Sequence, residues 1–311
     1  MACKKLICAV IVTYNRKNLL LNCLNALKNQ TYVINHIVVI DNASTDGTAD
    51  FLLQNNWVNN DYFTFISLDE NSGGAGGFYE GIKYATEQGF DYIWLMDDDG
   101  FPSENCLEKL MPYCSENCYI GPMVLDSKTK NKLSFALRVP NSLQVFDTYQ
   151  DIPDALKKEN IILNTVLPFN GTLISAKLVN KMGLICKDYF IWGDEREYTL
   201  RAEKFNAKIL TVIDAIFYHP IDSSQSSPML FGKLRFNNAH SDLKQYCFLR
   251  NSVATFAKYK GRFYVAVFFL KTSWFYLFTK PSFSRLTFAW RAMWHGISGD
   301  FSHHKKYLNE S

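Results

Sequence analysis

The chain is short of several features that would each have fixed a function class. Its eight cysteines form no C-x-x-C pair and few histidines lie near them, so a structural zinc site is not expected. No secretion leader is expected at its start. Lys4 and Lys5 precede an apolar run, Leu6 to Val12, of only seven residues, which ends in Thr13-Tyr14-Asn15-Arg16 rather than at a small-residue cleavage site. The cysteines are therefore expected to be reduced thiols of a cytoplasmic protein. Phe263 to Phe278 is nearly all apolar, yet its sixteen residues are broken by Lys271-Thr272-Ser273 and fall short of the ~20 that a spanning helix needs. A Gly-Lys-Ser/Thr phosphate loop is absent as well.

What is present is a chain of 311 residues with 48% hydrophobic content, enough to bury a full core in one large domain or two smaller ones. The formal charge of +3 hides an asymmetry. From Phe231 to Ser311 there are 13 Lys or Arg against 3 Asp or Glu, and 20 of the 47 aromatic residues. A basic, aromatic end behind an acidic body points to two parts with different partners, and nucleic acid or an anionic membrane surface is the usual choice for the second.

Leu6 to Val12 reads as a central parallel strand covered on both faces. Leu20, Leu24 and Leu27 follow at helical spacing and His36 to Ile40 supplies a second strand, making a β-α-β unit. That strand ends in Asp41-Asn42-Ala43-Ser44-Thr45-Asp46-Gly47-Thr48, and Phe63 to Ser67 is a third. Asn71-Ser72-Gly73-Gly74-Ala75-Gly76-Gly77-Phe78 reads as a glycine-rich loop ahead of a helix on which Phe78, Ile82 and Ala85 share a face. Such a loop lets backbone N–H groups meet an anion, although close helix–strand packing selects glycine too.

The next strand, Tyr92 to Met96, breaks into Asp97-Asp98-Asp99-Gly100. Three adjacent carboxylates at a strand's C-terminal end suit a hard cation such as Mg²⁺ or Mn²⁺, or cap the helix expected from Ser103 to about Asn117. Asp126 to Asn160 is a polar surface insertion. Ile161 to Leu167 is expected as a strand, Phe169-Asn170-Gly171-Thr172 as a loop, and Val179 and Met182 as part of a short helix. Phe190-Ile191-Trp192-Gly193-Asp194-Glu195-Arg196-Glu197-Tyr198 then places carboxylates at the start of a helix whose Tyr198, Ala202 and Phe205 face the core. The helix dipole accounts for such carboxylates structurally, and a dry aromatic pocket would make one a general base. Lys208 to Ile213 and Ala215 to Tyr218 read as two strands leading to His219.

In their order, Val12–Arg16 (V-T-Y-N-R), Val39–Thr48, Asn71–Phe78, Asp97–Asp99, Trp192–Tyr198 and the late His219 resemble the family 2 inverting glycosyltransferases of the GT-A fold. The N-x-G-G-A-G-G-F form narrows the resemblance to the rhamnosyl- and galactofuranosyltransferase branch, over roughly residues 6–220. It implies a Rossmann-like mixed α/β sheet flanked by helices, with a catalytic domain over 1–230 and a basic aromatic helical region over 231–311. Thr13, Tyr14, Arg16 and Asp41 would border the nucleotide, and Asn71, Gly73 and Gly74 the diphosphate and sugar. Asp98 and Trp192 complete the donor-site candidates. Asp97, Asp99 and His219 would hold Mn²⁺ or Mg²⁺. The base falls at Glu195, with Asp194 beside it as the alternative, because many relatives have Asp where Glu195 stands.

The donor so implied is a UDP- or dTDP-sugar, and the acceptor a hydroxyl of a glycan or lipid-linked saccharide. The basic aromatic region suits either an interfacial helix on the inner face of the cell membrane or a helical subdomain making an oligomer contact. A nucleotidyltransferase is the rival enzyme, disfavoured by the missing phosphate loop. A nucleic-acid-binding protein is the rival outside enzymology, disfavoured by the acidic body, so no nucleic-acid partner is expected.

Overall fold

The computed structural model describes residues 5–138, 144–167, 169–221, 226–232 and 234–310. They fall into two compact units, Met1–Ile185 with Arg201–Asp222, and Cys186–Leu200 with Ser223–Ser311.

The first unit begins β1 (Ile7–Thr13), α1 (Lys17–Lys28), β2 (His36–Asp41), α2 (Thr48–Gln54), β3 (Phe63–Ser67), α3 (Gly73–Glu87) and β4 (Tyr92–Asp97). It continues with β5 (Phe101–Pro102), α4 (Cys106–Leu110), β6 (Cys118–Asp126), β7 (Lys132–Arg138), β8 (Val145–Thr148), α5 (Asp154–Glu159), β9 (Ile161–Leu163), β10 (Asn170–Ser175) and α6 (Ala176–Met182). After α7 (Asp194–Lys204), whose first residues group with the second unit, β11 (Lys208–His219) closes the sheet. The strand order is β3-β2-β1-β4-β10-β6-β11-β5, with β7 beside β6, β8 beside β7 and β9 beside β11. β1 is parallel to both β2 and β4, and β11 to β6, while β10 runs antiparallel between β4 and β6. The C-terminal ends of β1, β2, β4 and β11 therefore share one edge, where the order reverses around β1. Open α/β sheets bind ligands at that edge.

Why β1 is apolar throughout follows from its two neighbours. Ile7, Ala9 and Ile11 join Leu20, Leu24 and Leu27 of α1 in the main core, whereas Val10 and Val12 face α3. A Cβ on Gly77 would lie 2.4 Å from Val12 Cγ1, and one on Gly81 2.2 Å from Val10 Cγ1. The glycines thus belong to the first turns of α3, which starts at Gly73, and not to a loop before it. They let the helix backbone lie against the sheet.

Other boundaries differ from expectation for equally local reasons. The helix expected over Ser103–Asn117 shrinks to α4 and a 3-10 turn, Met111–Tyr113, because Pro112 supplies no N–H and crowds the preceding turn. The strand expected to reach Leu167 ends at Leu163, and the polar stretch Asn170-Gly171-Thr172, expected as a loop, opens the wholly buried β10. Trp94 Nε1 donates to Gly171 O at 2.8 Å across that pairing. Lys208 to His219 is one strand with an irregularity between Val212 and Ile216, not two. Phe205, expected in the core, is exposed, while Tyr198 and Ala202 are buried. The polar insertion after Asp126 buries Leu133, Leu137, Phe146 and Ile152 in one small cluster with Met123 and Leu125 of β6 and Ile213 of β11.

The second unit holds a hairpin, β12 (Ser226–Met229) and β13 (Leu234–Asn237), then α8 (Asp242–Tyr259), α9 (Arg262–Trp274), a π-helical turn Phe275–Thr279 and α10 (Phe283–Ser298). A 3-10 helix, His303–Glu310, follows. Phe236, Tyr246, Leu249, Phe275, Ala289 and Met293 are central to its core. α10 approaches α8 so closely at Gly296 that a Cβ there would sit 2.2 Å from Arg250 O. Among the described residues no helix is long and apolar enough to cross a membrane.

Candidate active site

At the sheet's C-terminal edge the acidic triplet divides its work. Asp98, the buried member, accepts from Thr13 Oγ1 at 2.7 Å and from Arg16 NH1 at 3.2 Å, tying the end of β4 to the loop after β1. Arg16 NH1 also donates to Asp99 Oδ2 at 2.8 Å. His219, the last residue of β11, places Nε2 3.1 Å from Asp99 Oδ1. Burial and the charges of Asp99 and Asp98 push Asp97 up to about 8. Burial likewise takes Asp98 up to about 6, opposed by Thr13 and Arg16. For Asp99 burial acts in the same sense, but His219 and Arg16 outweigh it and hold the carboxyl below its ordinary value. Burial opposes the charge on His219, and Asp99 overrides it, so the imidazole titrates above its ordinary value.

This edge suits a hard divalent ion. Asp99 Oδ1 is buried and, despite its nearness to His219, makes no bond of hydrogen-bond geometry. Cis ligands of an octahedral ion with bonds of about 2.1 Å sit about 3 Å apart, which is the spacing of these two atoms. Asp97 is not gathered with them, because among the described residues only His295, Asp300 and His303 bring three donor atoms within 4.8 Å of one another. Two protein ligands suffice where substrate phosphates supply the rest. The histidine cluster is a poorer cation site. Its two rings stack at 4.2 Å and 9°, so their in-plane lone pairs do not converge, and His303 Nε2 pairs with Asp300 Oδ2 at 3.0 Å.

Next to β4, the end of β2 offers an unsatisfied acceptor. Asp41 is buried; its Oδ2 accepts from Ser44 N and Ser67 Oγ, and its Oδ1 has no hydrogen-bond partner among the described residues. Asn42, which the sequence reading passed over, donates to Gly73 O at 3.1 Å and accepts from Ser72 Oγ at 2.9 Å. It fixes where α3 begins. Asn71 Oδ1 accepts from Gly73 N at 2.9 Å, and space is open beside Gly74. Tyr14 is exposed, and Asn15 crosses to the loop after β2 by accepting from Thr45 N at 2.7 Å.

The remaining candidates, Trp192, Asp194 and Glu195, lie in the second unit on a turn of unfavourable backbone shape. Phe190 has φ 64°, Trp192 60° and Gly193 96°. Two adjacent residues of α8 hold it there. Asn251 Nδ2 donates to the carbonyls of Tyr189, Ile191 and Trp192 at 2.9, 3.1 and 2.6 Å. Arg250 donates to Tyr189 O at 2.9 Å and, through Nε, to Asn251 Oδ1 at 2.9 Å. Both residues are wholly buried, and burial lowers the Arg250 guanidinium below its ordinary value. Trp192 lies edge-on to Phe248, with Lys244 Nζ over its ring. Of the carboxylates, Glu195 is partly exposed and accepts from Gly193 N at 3.0 Å, Asp194 is 4% exposed, and Glu197 is taken up by Lys258 and Tyr259.

The fold is a mixed, mostly parallel α/β sheet flanked by helices, with an acidic edge at the strand-order reversal, and it matches that of solved GT-A glycosyltransferases. The model of glycosyl transferase family 2 matches residues 8–166, and the chain belongs to that family. It is 26% identical over 285 residues to galactofuranosyltransferase GlfT1 of Mycolicibacterium smegmatis, covering 91% of this chain and 93% of that protein. It is 26% identical over 216 residues to the dTDP-rhamnosyl transferase RfbF of Shigella flexneri, covering 68% of each. A mannosyltransferase from Pyrobaculum calidifontis, solved with GDP-Man and Mn²⁺, superposes with a TM-score of 0.55 at 14% identity, covering 99% of this chain and 80% of that one. The chain is thus a glycosyltransferase whose relatives include the galactofuranosyl and rhamnosyl enzymes that Asn71–Phe78 suggested.

Proposed function

We propose that the chain transfers galactofuranose or rhamnose from a UDP- or dTDP-linked donor to a hydroxyl of a growing glycan or lipid-linked saccharide, inverting the anomeric centre. The observation that carries this reading is the pairing of Asp99 Oδ1 with His219 Nε2, 3.1 Å apart at the sheet edge. Together these two residues would hold Mn²⁺ or Mg²⁺, which would neutralise the departing nucleotide diphosphate. Arg16 adds positive charge at the same edge and keeps Asp99 oriented. Asp41 Oδ1, buried and unpartnered, fits an N–H or O–H donor of the base or ribose, since an unpaired buried acceptor is costly until one arrives.

Glu195 would take the proton of the acceptor hydroxyl as its oxygen attacks from the face opposite the leaving group. Its partial exposure and its bond from Gly193 N support it over the more buried Asp194. No covalent enzyme intermediate is needed for a single inverting displacement.

The reading is tested by melting the protein with UDP-, dTDP- and GDP-sugars, each with and without Mn²⁺. At 100 times Kd a ligand stabilises by about 2.7 kcal/mol, a shift of several degrees for a chain this size. A Mn²⁺-dependent shift with UDP- or dTDP-sugars alone is expected. No shift with any donor would remove the proposal's basis.

A further inference from the structure

Between Asp242 and Asp300 the chain has nine Lys or Arg and no Asp or Glu. This stretch is also where the second unit leaves its apolar surface uncovered. Along α9, Phe263, Val267, Leu270 and Trp274 recur at helical spacing, and along α10 Phe283, Trp290, Trp294 and Ile297 do the same. All eight are between 43% and 77% exposed. The opposite faces are already used, with Phe268 and Phe275 on one side and Leu286, Ala289 and Met293 on the other inside the core.

The two outward faces are joined. Trp290 Nε1 donates to Ser273 Oγ at 2.9 Å, linking α10 to α9, and the Trp274 and Phe278 rings lie 4.6 Å apart. Single exposed apolar residues are ordinary, but a continuous aromatic platform of this kind marks an interaction surface. Its cations are available: among the described residues Lys260, Arg262, Lys280 and Arg291 form no ion pair, whereas Arg285 is engaged by Asp242. A second copy of this chain would bring the same unneutralised cations against it, so charge disfavours self-association here. At 1.5 Å per residue, α9 and α10 are each shorter than a bilayer's ~30 Å core.

We propose that this face of α9 and α10 is a membrane-docking surface that lies flat on an anionic lipid bilayer. The Trp and Phe rings enter the boundary between headgroups and acyl chains, and Lys260, Arg262, Lys280 and Arg291 meet lipid phosphates. The inference does not depend on the reaction proposed above, and loss of donor binding would leave it standing.

The test is flotation of the full chain with vesicles of phosphatidylcholine alone or with 30 mol% phosphatidylglycerol, alongside tryptophan emission. Three of the six tryptophans lie on this face, so binding shifts emission to the blue. Each Lys or Arg near an anionic surface contributes about fivefold in affinity, so the double variant Lys260→Ser with Arg262→Ser loses roughly 25-fold, and 0.5 M NaCl weakens the wild type. The double variant Trp274→Ser with Trp294→Ser loses more than tenfold while its melting temperature and donor-induced shift persist. If that aromatic pair disturbs folding, the fully solvated Lys260 and Arg262 pair decides alone. Equal flotation on neutral and anionic vesicles, or undiminished binding by either folded variant, overturns the proposal. So does a dimer in sedimentation velocity that the tryptophan variant abolishes without any vesicle binding.

Discussion

Replacing Asn251 by alanine is the sharpest probe of how the proposed base is held. The side chain offers two N–H protons to three carbonyls, those of Tyr189, Ile191 and Trp192, and accepts from Arg250 Nε. A buried hydrogen bond contributes about 1 kcal/mol net, and a buried acceptor left without a partner costs about 1–3 kcal/mol. Losing the amide should therefore cost roughly 2–4 kcal/mol. On the other side stand Phe190 and Trp192, two non-glycine residues at positive φ, each worth about 1 kcal/mol or more of strain. Removal of the clamp leaves that strain free to relax, and the turn carrying Glu195 should move. A shift near 1 Å at a reacting group costs on the order of 100-fold. The expected result for Asn251→Ala is thus a lower melting temperature, turnover down 10- to 100-fold, and donor Kd unchanged, measured by sugar transfer and calorimetry well below the transition. Wild-type turnover with a stability change under about 0.5 kcal/mol would refute the clamp. So would a fall in donor affinity that accounts for all of the lost activity, since the amide would then act elsewhere.

Three further expectations follow from the same geometry. Glu195→Gln should lower turnover by roughly 10²–10⁴ while sparing donor binding, and near-normal turnover would shift the base to Asp194. Asp99→Ala should abolish the Mn²⁺-dependent part of nucleotide binding in calorimetry; unchanged metal affinity would remove Asp99 from the site. Gly77→Ala drives a Cβ to 2.4 Å from Val12 Cγ1, and overpacking of that kind costs about 1–3 kcal/mol, so urea unfolding should show a lower midpoint at unchanged slope.

Much of the first unit was legible from pattern alone. β1 and β2 each sit within one residue of the expected strands because buried parallel strands are continuous apolar runs, and β3, a half-exposed edge strand, runs over the residues expected. Asp97 and Asp99 were marked by three adjacent carboxylates at a strand's end, which suit a cation or a helix cap, whereas His219 was singled out only by the family resemblance. The failures have physical reasons. Gly73 to Gly77 looked like a loop because glycine is a poor helix former, and the approach of Val12 to Gly77 and of Val10 to Gly81, which accounts for glycine at those two helical positions, is not visible along the chain. Asn170 to Thr172 looked like a loop because its residues are polar, while their neighbours in the sheet are not visible along the chain. What Asp98 touches was not legible, because its oxygens hold Thr13 and Arg16, which lie 85 and 82 residues away along the chain. Arg250 and Asn251 could not be read from the sequence, since they hold the carbonyls of Tyr189, Ile191 and Trp192 about sixty residues away, and a carbonyl has no sequence signature.

That distance along the chain also sets an order of events. Every residue of the proposed donor edge, from Thr13 to His219, is made before Arg250 and Asn251, and until those two are in place the turn at Phe190 to Gly193 lacks the bonds they give to the carbonyls of Tyr189, Ile191 and Trp192. The proposed donor edge and the turn that carries the proposed base therefore depend on parts of the chain made one after the other. On the proposed reading, the residues that fix the group activating the acceptor belong to a later segment, α8, than all those that would hold the donor.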